Sequence, residues 1–176
     1  MPYSDIQIHK VMLEDRIRTQ AFEQSIMQVV RPGHRVLDFG CGTGILSIMA
    51  ARAGAETVYA LDKSRFIRVA KRVADANGFG NIAFYHGDHS QVELPTEVDI
   101  IVSEWMGHFV FFERLFGPLL DMRNRYLASG GVMIPERISL KAALVSDESL
   151  FQNLAFFRTK PYGIDFEEVS DWPFCH

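Results

Sequence analysis

The hydrophobic pattern changes period several times along the chain, and each change marks an element. Between residues 10 and 30 the apolar positions fall three or four apart: Leu13, Ile17 and Ala21, then Phe22, Ile26 and Val29/Val30. That spacing predicts one helix with a drifting apolar stripe, stopped by Pro32-Gly33. Beyond it the chain alternates short apolar runs with helical patterns. Arg35–Phe39 predicts a strand, Gly40–Gly44 a tight turn, and Ile45 to Ala53 a helix closed by Gly54. Glu56 to Leu61 predicts a second strand, and Ser64 caps a helix running to Ala76. Ile82 to His86 and Val98 to Ser103 predict strands three and four. A helix is expected over Phe112 to Leu127, distorted by Gly117-Pro118, and a fifth strand over Gly130 to Ile134. Strands separated by helices at this spacing imply an α/β fold, a doubly wound, mostly parallel sheet. After Pro135 the pattern changes. Arg137 to Leu144 partly alternates polar and apolar, as a half-exposed strand does, and the last thirty residues show no period. The reading is therefore an N-terminal helical lid (1–34), a Rossmann-like domain (35–135) and a short, incomplete β segment opening a second, barrel-like domain (136–176).

Composition changes little in that picture but removes several classes of function. With 176 residues and 48% hydrophobic content the chain can bury a proper core. A net charge of −4 gives no electrostatic footprint for nucleic acid. Cys41 and Cys175 stand far apart and the six histidines form no ligand spacing, so neither a disulfide framework nor a metal site is expected. The N-terminus lacks the pattern of a signal peptide, and no apolar run reaches the ~20 residues of a membrane span. The expected location is the cytoplasm, or the nucleus in a eukaryote.

The chemistry gathers at the strand ends. Asp38, Asp62, Asp88 and Glu104 lie at or near the C-terminal ends of four consecutive predicted strands, where open α/β sheets bind ligands. Such acids suit hydroxyl, amino or cationic groups; they also make turns, which is the plain alternative for each. Gly40-x-Gly42-x-Gly44 follows a strand and opens a helix, which lets backbone approach a ligand. Its spacing is tighter than a dinucleotide fingerprint and Asp38 precedes it, which favours a nucleoside with a short amino-acid tail. Asp62, eighteen residues past Gly44, is placed to accept ribose hydroxyls. Glu104 and Glu113 bracket an almost uncharged aromatic loop at the end of a buried strand. Two acids there need a partner, and a flat guanidinium matches them bidentately. Cys41, between glycines, reads as a small packing residue.

The run Val36 to Ser47 (VLDFGCGTGILS) resembles the first motif of class I S-adenosylmethionine-dependent methyltransferases. Ser103-Glu104-Trp105-Met106-Gly107 with Glu113 is similar to the double-glutamate loop of protein arginine methyltransferases, a far more specific signal. Ile8 to Thr19 resembles that family's N-terminal helix, and Tyr162 to Phe166 is a fainter match to the opening of its second domain. The resemblance implies the cofactor S-adenosyl-L-methionine, with S-adenosyl-L-homocysteine as product, and an arginine-containing protein or peptide as substrate. It implies that Gly40, Gly42 and Gly44 pass the cofactor. Arg18, helped by His9, would hold its carboxylate, and Met12 would sit near the transferred methyl. Asp38 would face the methionine portion or brace the turn. Asp62 would hold the ribose from one methylene less than the family's usual Glu. Leu46, Lys63, Asp88, His89 and Glu104 complete the expected cofactor set. Glu104 and Glu113 would grip the substrate guanidinium, with Tyr3 and Met106 beside them. Where many members carry an acid toward the adenine, this chain reads Asp88-His89-Ser90-Gln91. The family continues into a β-barrel with a dimerisation arm, so its full-length form is expected to be a homodimer, and a chain ending at His176 carries only the start of that barrel. Three rivals stay open: a class I methyltransferase with another substrate, a cofactor-binding module inactive without the barrel, and a nicotinamide-binding oxidoreductase.

Overall fold

The computed structural model describes residues 6–106, 115–144, 146 and 148–170, in two compact units, 1–138 and 139–176. The first begins with two helices, α1 (Ile6–Glu14) and α2 (Arg16–Val29). The single helix expected over 10–30 is broken at Asp15, whose carboxylate accepts the Arg18 amide at 3.0 Å and so caps α2. There follow β1 (Arg35–Phe39), α3 (Ile45–Arg52), β2 (Thr57–Asp62), α4 (Ile67–Ala76), β3 (Ile82–His86), β4 (Val98–Val102), α5 (Phe116–Tyr126) and β5 (Leu127–Ile134). All five strands pair in parallel in the order β3-β2-β1-β4-β5.

The alternation along β1 shows why both faces are covered. Val36 joins a core cluster with Phe22 and Ile26 of α2, Met49 and Ala50 of α3, and Ala70 and Ala74 of α4. Leu37 and Phe39 point to a second cluster with Leu119 and Met122 of α5 and Trp105. Successive side chains leave a strand on opposite sides, so a strand buried on both faces is mostly apolar, with Asp38 the buried exception in β1. Strand order reverses between β1 and β4, and a crevice opens beyond the carboxyl ends of strands at such a point.

Four local expectations need correction. Ser64 does not open α4: its hydroxyl accepts the Phe66 amide at 3.3 Å in a turn, and the helix starts at Ile67. Gly117-Pro118 lies in the first turn of α5, where a missing N–H is tolerated, so it opens the helix rather than distorting it. The fifth strand starts three residues early, and its register jumps from Val98↔Leu127 to Ile100↔Val132. Residues 137–144 form no strand, so the expected β segment is absent among the described residues. An alternating pattern makes a strand only where a partner strand supplies its hydrogen bonds. The second unit contains α6 (Glu148–Ala155), two short 3-10 turns and α7 (Glu167–Ser170).

Candidate active site

A crevice of about 230 Å³ lies beyond the carboxyl ends of β1–β4. Its floor is the turn after β1. The amides of Gly40 and Cys41 donate to Leu61 O at 2.8 and 3.0 Å, which ties the turn to β2. Asp62 ends β2 and accepts the Gly42 amide at 2.7 Å and the Ser64 amide at 2.7 Å, one on each oxygen. The turn's shape depends on Gly42 (φ +52): a β-carbon there would lie 3.0 Å from His9 Cε1. His9 is the one buried residue of α1 and packs its ring 3.9 Å from that of Phe66. It closes the crevice from the side of α1.

At the β4 end, Ser103 is buried between two strands. Its hydroxyl donates to Phe39 O at 2.7 Å and its amide to Ile134 O at 3.0 Å. The next residue, Glu104, is thereby placed in the crevice. Its Oε2 accepts from Arg18 Nη1 at 3.0 Å and its Oε1 from the Met106 amide at 3.2 Å. Arg18 also donates through Nη2 to Met12 O. The pair is partly buried, at 27% and 15% side-chain exposure, so its attraction is less screened than that of a surface pair.

At the β3 end, Asp88 and His89 line the crevice. Asp88 Oδ1 accepts the Ser90 hydroxyl at 2.7 Å and its amide at 3.1 Å, and these bonds hold the carboxyl below its usual range. His89 Nδ1 lies 3.1 Å from the same oxygen, and its ring meets Phe39 edge-on at 6.4 Å.

The structure brings together most of the residues expected from sequence. His9, Met12, Arg18, Gly40, Gly42, Leu46, Asp62, Lys63, Asp88, His89 and Glu104 all line the one crevice. Three do not. Gly44 (φ +80) faces α4, where a β-carbon would lie 3.0 Å from Ala70 Cβ, so glycine there lets the turn pack closely on that helix. Asp38 is fully buried behind the turn: Ser47 Oγ donates to its Oδ2 at 2.6 Å and Oδ1 has no partner. Burial raises its pKa to about 7, and burial, with Asp38 second, pushes the Cys41 thiol well up, which suits an inert packing cysteine. Met106 packs between the two core clusters rather than lining the crevice. Tyr3 and Glu113 lie outside the described residues. Sequence reasoning missed Thr19, Phe22, Phe39, Thr43 and Ser64 as walls. Thr43 and Ser64, small polar residues beside motif positions, carried a readable signal; Phe22 and Phe39 looked like plain core.

This sheet order, with a glycine turn after β1 and an acid ending β2, defines a Rossmann-like nucleoside-binding domain, a frame that dinucleotide-binding proteins and class I methyltransferases share. The sequence profile of the family described as Ribosomal protein L11 methyltransferase (PrmA) matches residues 18–135. Among curated proteins, Probable protein arginine N-methyltransferase 6 of Arabidopsis thaliana is 40% identical over 170 residues, 95% of this chain and 39% of that protein. Protein arginine N-methyltransferase 1 of Schizosaccharomyces pombe is 40% identical over 172 residues, 96% of this chain and 51% of its own length. Among solved structures, the Trypanosoma brucei PRMT1 enzyme-prozyme heterotetrameric complex with AdoHcy superposes with a TM-score of 0.86 at 32% identity, over 98% of this chain and 55% of that one. The chain belongs to the methyltransferase family that the profile describes, and the curated relatives that match nearly its whole length are protein arginine N-methyltransferases. It spans only 39% and 51% of these two curated relatives.

Proposed function

We propose that the protein transfers a methyl group from S-adenosylmethionine to the guanidinium of an arginine in a protein or peptide. The observation that carries this reading is the linear order of groups along the carboxyl edge of the sheet. Asp88 stands after β3, Asp62 at the end of β2, Gly40 to Gly42 after β1 and Glu104 after β4, all lining one crevice. Strands lie ~4.8 Å apart, so this row extends over roughly 14 Å, the reach of an extended nucleoside with an amino-acid tail. The close approach at Gly42 and the donors and acceptors along the row fit such a molecule.

In this reading the adenine lies toward Asp88 and His89, and the ribose hydroxyls donate to Asp62. The amino-acid carboxylate lies toward Arg18, whose planar fork suits it. The bound sulfonium supplies a methyl group electrophilic enough for a weak nucleophile. Glu104 receives the substrate guanidinium, with Glu113 as a second acid. A carboxylate on one guanidinium nitrogen draws positive charge there and leaves the target nitrogen a freer lone pair. The negative charge of Glu104 also offsets the approach of two cations. The transfer would leave S-adenosylhomocysteine neutral, and the methylated nitrogen would release its excess proton to a crevice carboxylate or to water; since the guanidinium does not deprotonate beforehand in water, positioning carries most of the rate.

Methyl transfer from labelled S-adenosylmethionine to an arginine-rich peptide tests the proposal. Label on arginine in the wild type, reduced about 100-fold or more in Glu104→Gln, is expected, by analogy with the loss of one charge-stabilising group in other active sites. A chain that does not bind S-adenosylhomocysteine, or a Glu104→Gln variant that methylates as the wild type does, overturns it.

A further inference from the structure

The loop between β3 and β4 supplies the β3 end of the crevice, yet none of its residues 88–92 is in a helix or strand. A loop of this kind holds a ligand group only if something fixes it. The fixing group is on α5. Arg125 sends Nη1 to His89 O at 2.9 Å and to Asp121 Oδ2 at 3.2 Å. Its Nη2 goes to Val92 O at 3.0 Å and to Tyr126 Oη at 2.8 Å. One guanidinium therefore holds two carbonyls three residues apart and braces itself on two side chains of its own helix. The Tyr126 ring lies beneath it, 4.8 Å from Cζ to centroid. Tyr126 Oη adds a second tie, accepting the Leu94 amide at 3.2 Å. Asp121 lies 3.9 Å from His89 Nε2, so the imidazole stands between Asp121 and Asp88 with its ring against Phe39. Arg125 itself is absent from the crevice wall.

We propose that Arg125 is a positioning residue: it staples the 88–92 loop to α5 and thereby sets Asp88 and His89 for the nucleobase of the cofactor. The inference rests on the cofactor reading above. A planar fork is required because the two carbonyls are reached by different nitrogens; the point charge of lysine reaches one of them at a time. At residues 88–91 the loop is otherwise tied by short-range bonds, of Asp88 to Ser90, His89 and the Gln91 amide, while Val92 and Leu94 anchor its far end in the core and on the Tyr126 hydroxyl. Without the staple it samples other arrangements, and the bound one must then be selected at the expense of affinity.

The test is calorimetric binding of S-adenosylhomocysteine by the 176-residue chain and its variants. Arg125→Met is expected to weaken binding about tenfold, and Arg125→Lys about threefold, the scale of one or two charge-assisted hydrogen bonds lost. His89→Ala also weakens binding. The double variant His89→Ala/Arg125→Met is expected to bind within about twofold of His89→Ala, because the arginine acts through what the loop presents. A purely structural arginine behaves differently: the unfolding temperature falls while affinity stays, or the two losses of affinity add. Either result overturns the proposal. If Arg125→Met does not fold, Arg125→Lys decides, and affinity equal to the wild type's overturns it. Wild type that binds no S-adenosylhomocysteine overturns the cofactor reading and this proposal with it. Wild type that binds alongside unaffected arginine variants overturns this proposal alone.

Discussion

Replacing Asp38 by Asn should reverse the order of stability between acid and alkaline solution. Asp38 is wholly buried, accepts from Ser47 Oγ at 2.6 Å, with the Ser47 amide also favouring its charged form, and leaves Oδ1 without a partner. Burial holds its proton until about pH 7, against an ordinary value of 3.8. Below pH 3.8 the folded and unfolded chains both carry the proton, and the stabilising contribution is complete. Between 3.8 and about 7 the unfolded chain ionises while the folded one does not. Stability then falls by about 1.4 kcal/mol per pH unit. Above that window both forms are ionised and the loss has levelled off at about 4 kcal/mol, less where relaxation raises the local dielectric constant. Asparagine keeps the shape and cannot ionise, and the Ser47 hydroxyl can serve its amide as donor or acceptor. One amide group stays unsatisfied, at about 1–3 kcal/mol. The wild type should therefore be the more stable protein at pH 4, and Asp38→Asn the more stable at pH 8. Urea unfolding of both proteins at each pH gives the difference, in which all other titrating groups cancel. Parallel stability curves for the two proteins would show that Asp38 does not titrate between these limits, and the argument from its burial would fall.

Other substitutions follow from the same geometry. Gly44→Ala should destabilise by about 2–3 kcal/mol in thermal unfolding, since φ +80 disfavours a β-carbon and Ala70 Cβ stands 3.0 Å away. Adding Ala70→Gly should recover only the contact part, and full recovery would contradict the backbone argument. Ser103→Ala should cost about 1–2 kcal/mol through the lost bond to Phe39 O. It should also lower kcat for peptide methylation more than it changes affinity for S-adenosylhomocysteine; the reverse split would detach Ser103 from Glu104. Arg18→Lys should weaken S-adenosylhomocysteine binding about tenfold by calorimetry, because lysine cannot serve Glu104 and Met12 O together. Lys71→Ala, which breaks an exposed i,i+4 pair with Asp75, should change urea stability by no more than about 0.5 kcal/mol.

The sheet was legible because a strand buried on both faces is a short apolar run with sharp ends. The predicted β1 to β4 agree with the structure to within one residue at either end. The break at Asp15 was hidden by a stripe that runs across it. Leu13 and Ile17, which appeared to continue the core face, are 43% and 86% exposed. The capping side chain of Asp15 was the available signal, since an acid three residues before Arg18 can take its amide. Residues 137–144 misled for a different reason: alternation describes a strand's faces and says nothing about a partner for its backbone. In the site, residue types at strand ends identified the crevice, because strand order alone places those ends together. The separate tasks of Gly42 and Gly44 were not legible, since both belong to one repeated motif. Only the positions of His9 and Ala70, distant in sequence, tell them apart. Arg125 was unreadable for the same reason: its acceptors are carbonyl groups, which have no sequence signature.

The crevice acids differ from Asp38 in a way that explains which of them can bind a ligand. An ionised carboxylate offers about four acceptor positions. Asp62 commits one on each oxygen, to Gly42 and Ser64, and Glu104 commits one on each, to Arg18 and Met106. Both side chains are thus fixed in orientation, and each oxygen keeps capacity for a further donor. Bracing the turn and holding a diol are not alternatives for Asp62, and pairing with Arg18 does not consume Glu104. Fixed acceptors of this kind lose little freedom when a ligand arrives. Asp38 has the opposite arrangement, held by Ser47 alone and with a buried oxygen that has no donor. Burial favours its neutral form, which makes it a support for the turn rather than an acceptor for a cation. The motif's first acid and the acids at the ends of β2 and β4 look alike in sequence; hydration and existing hydrogen bonds assign them opposite work.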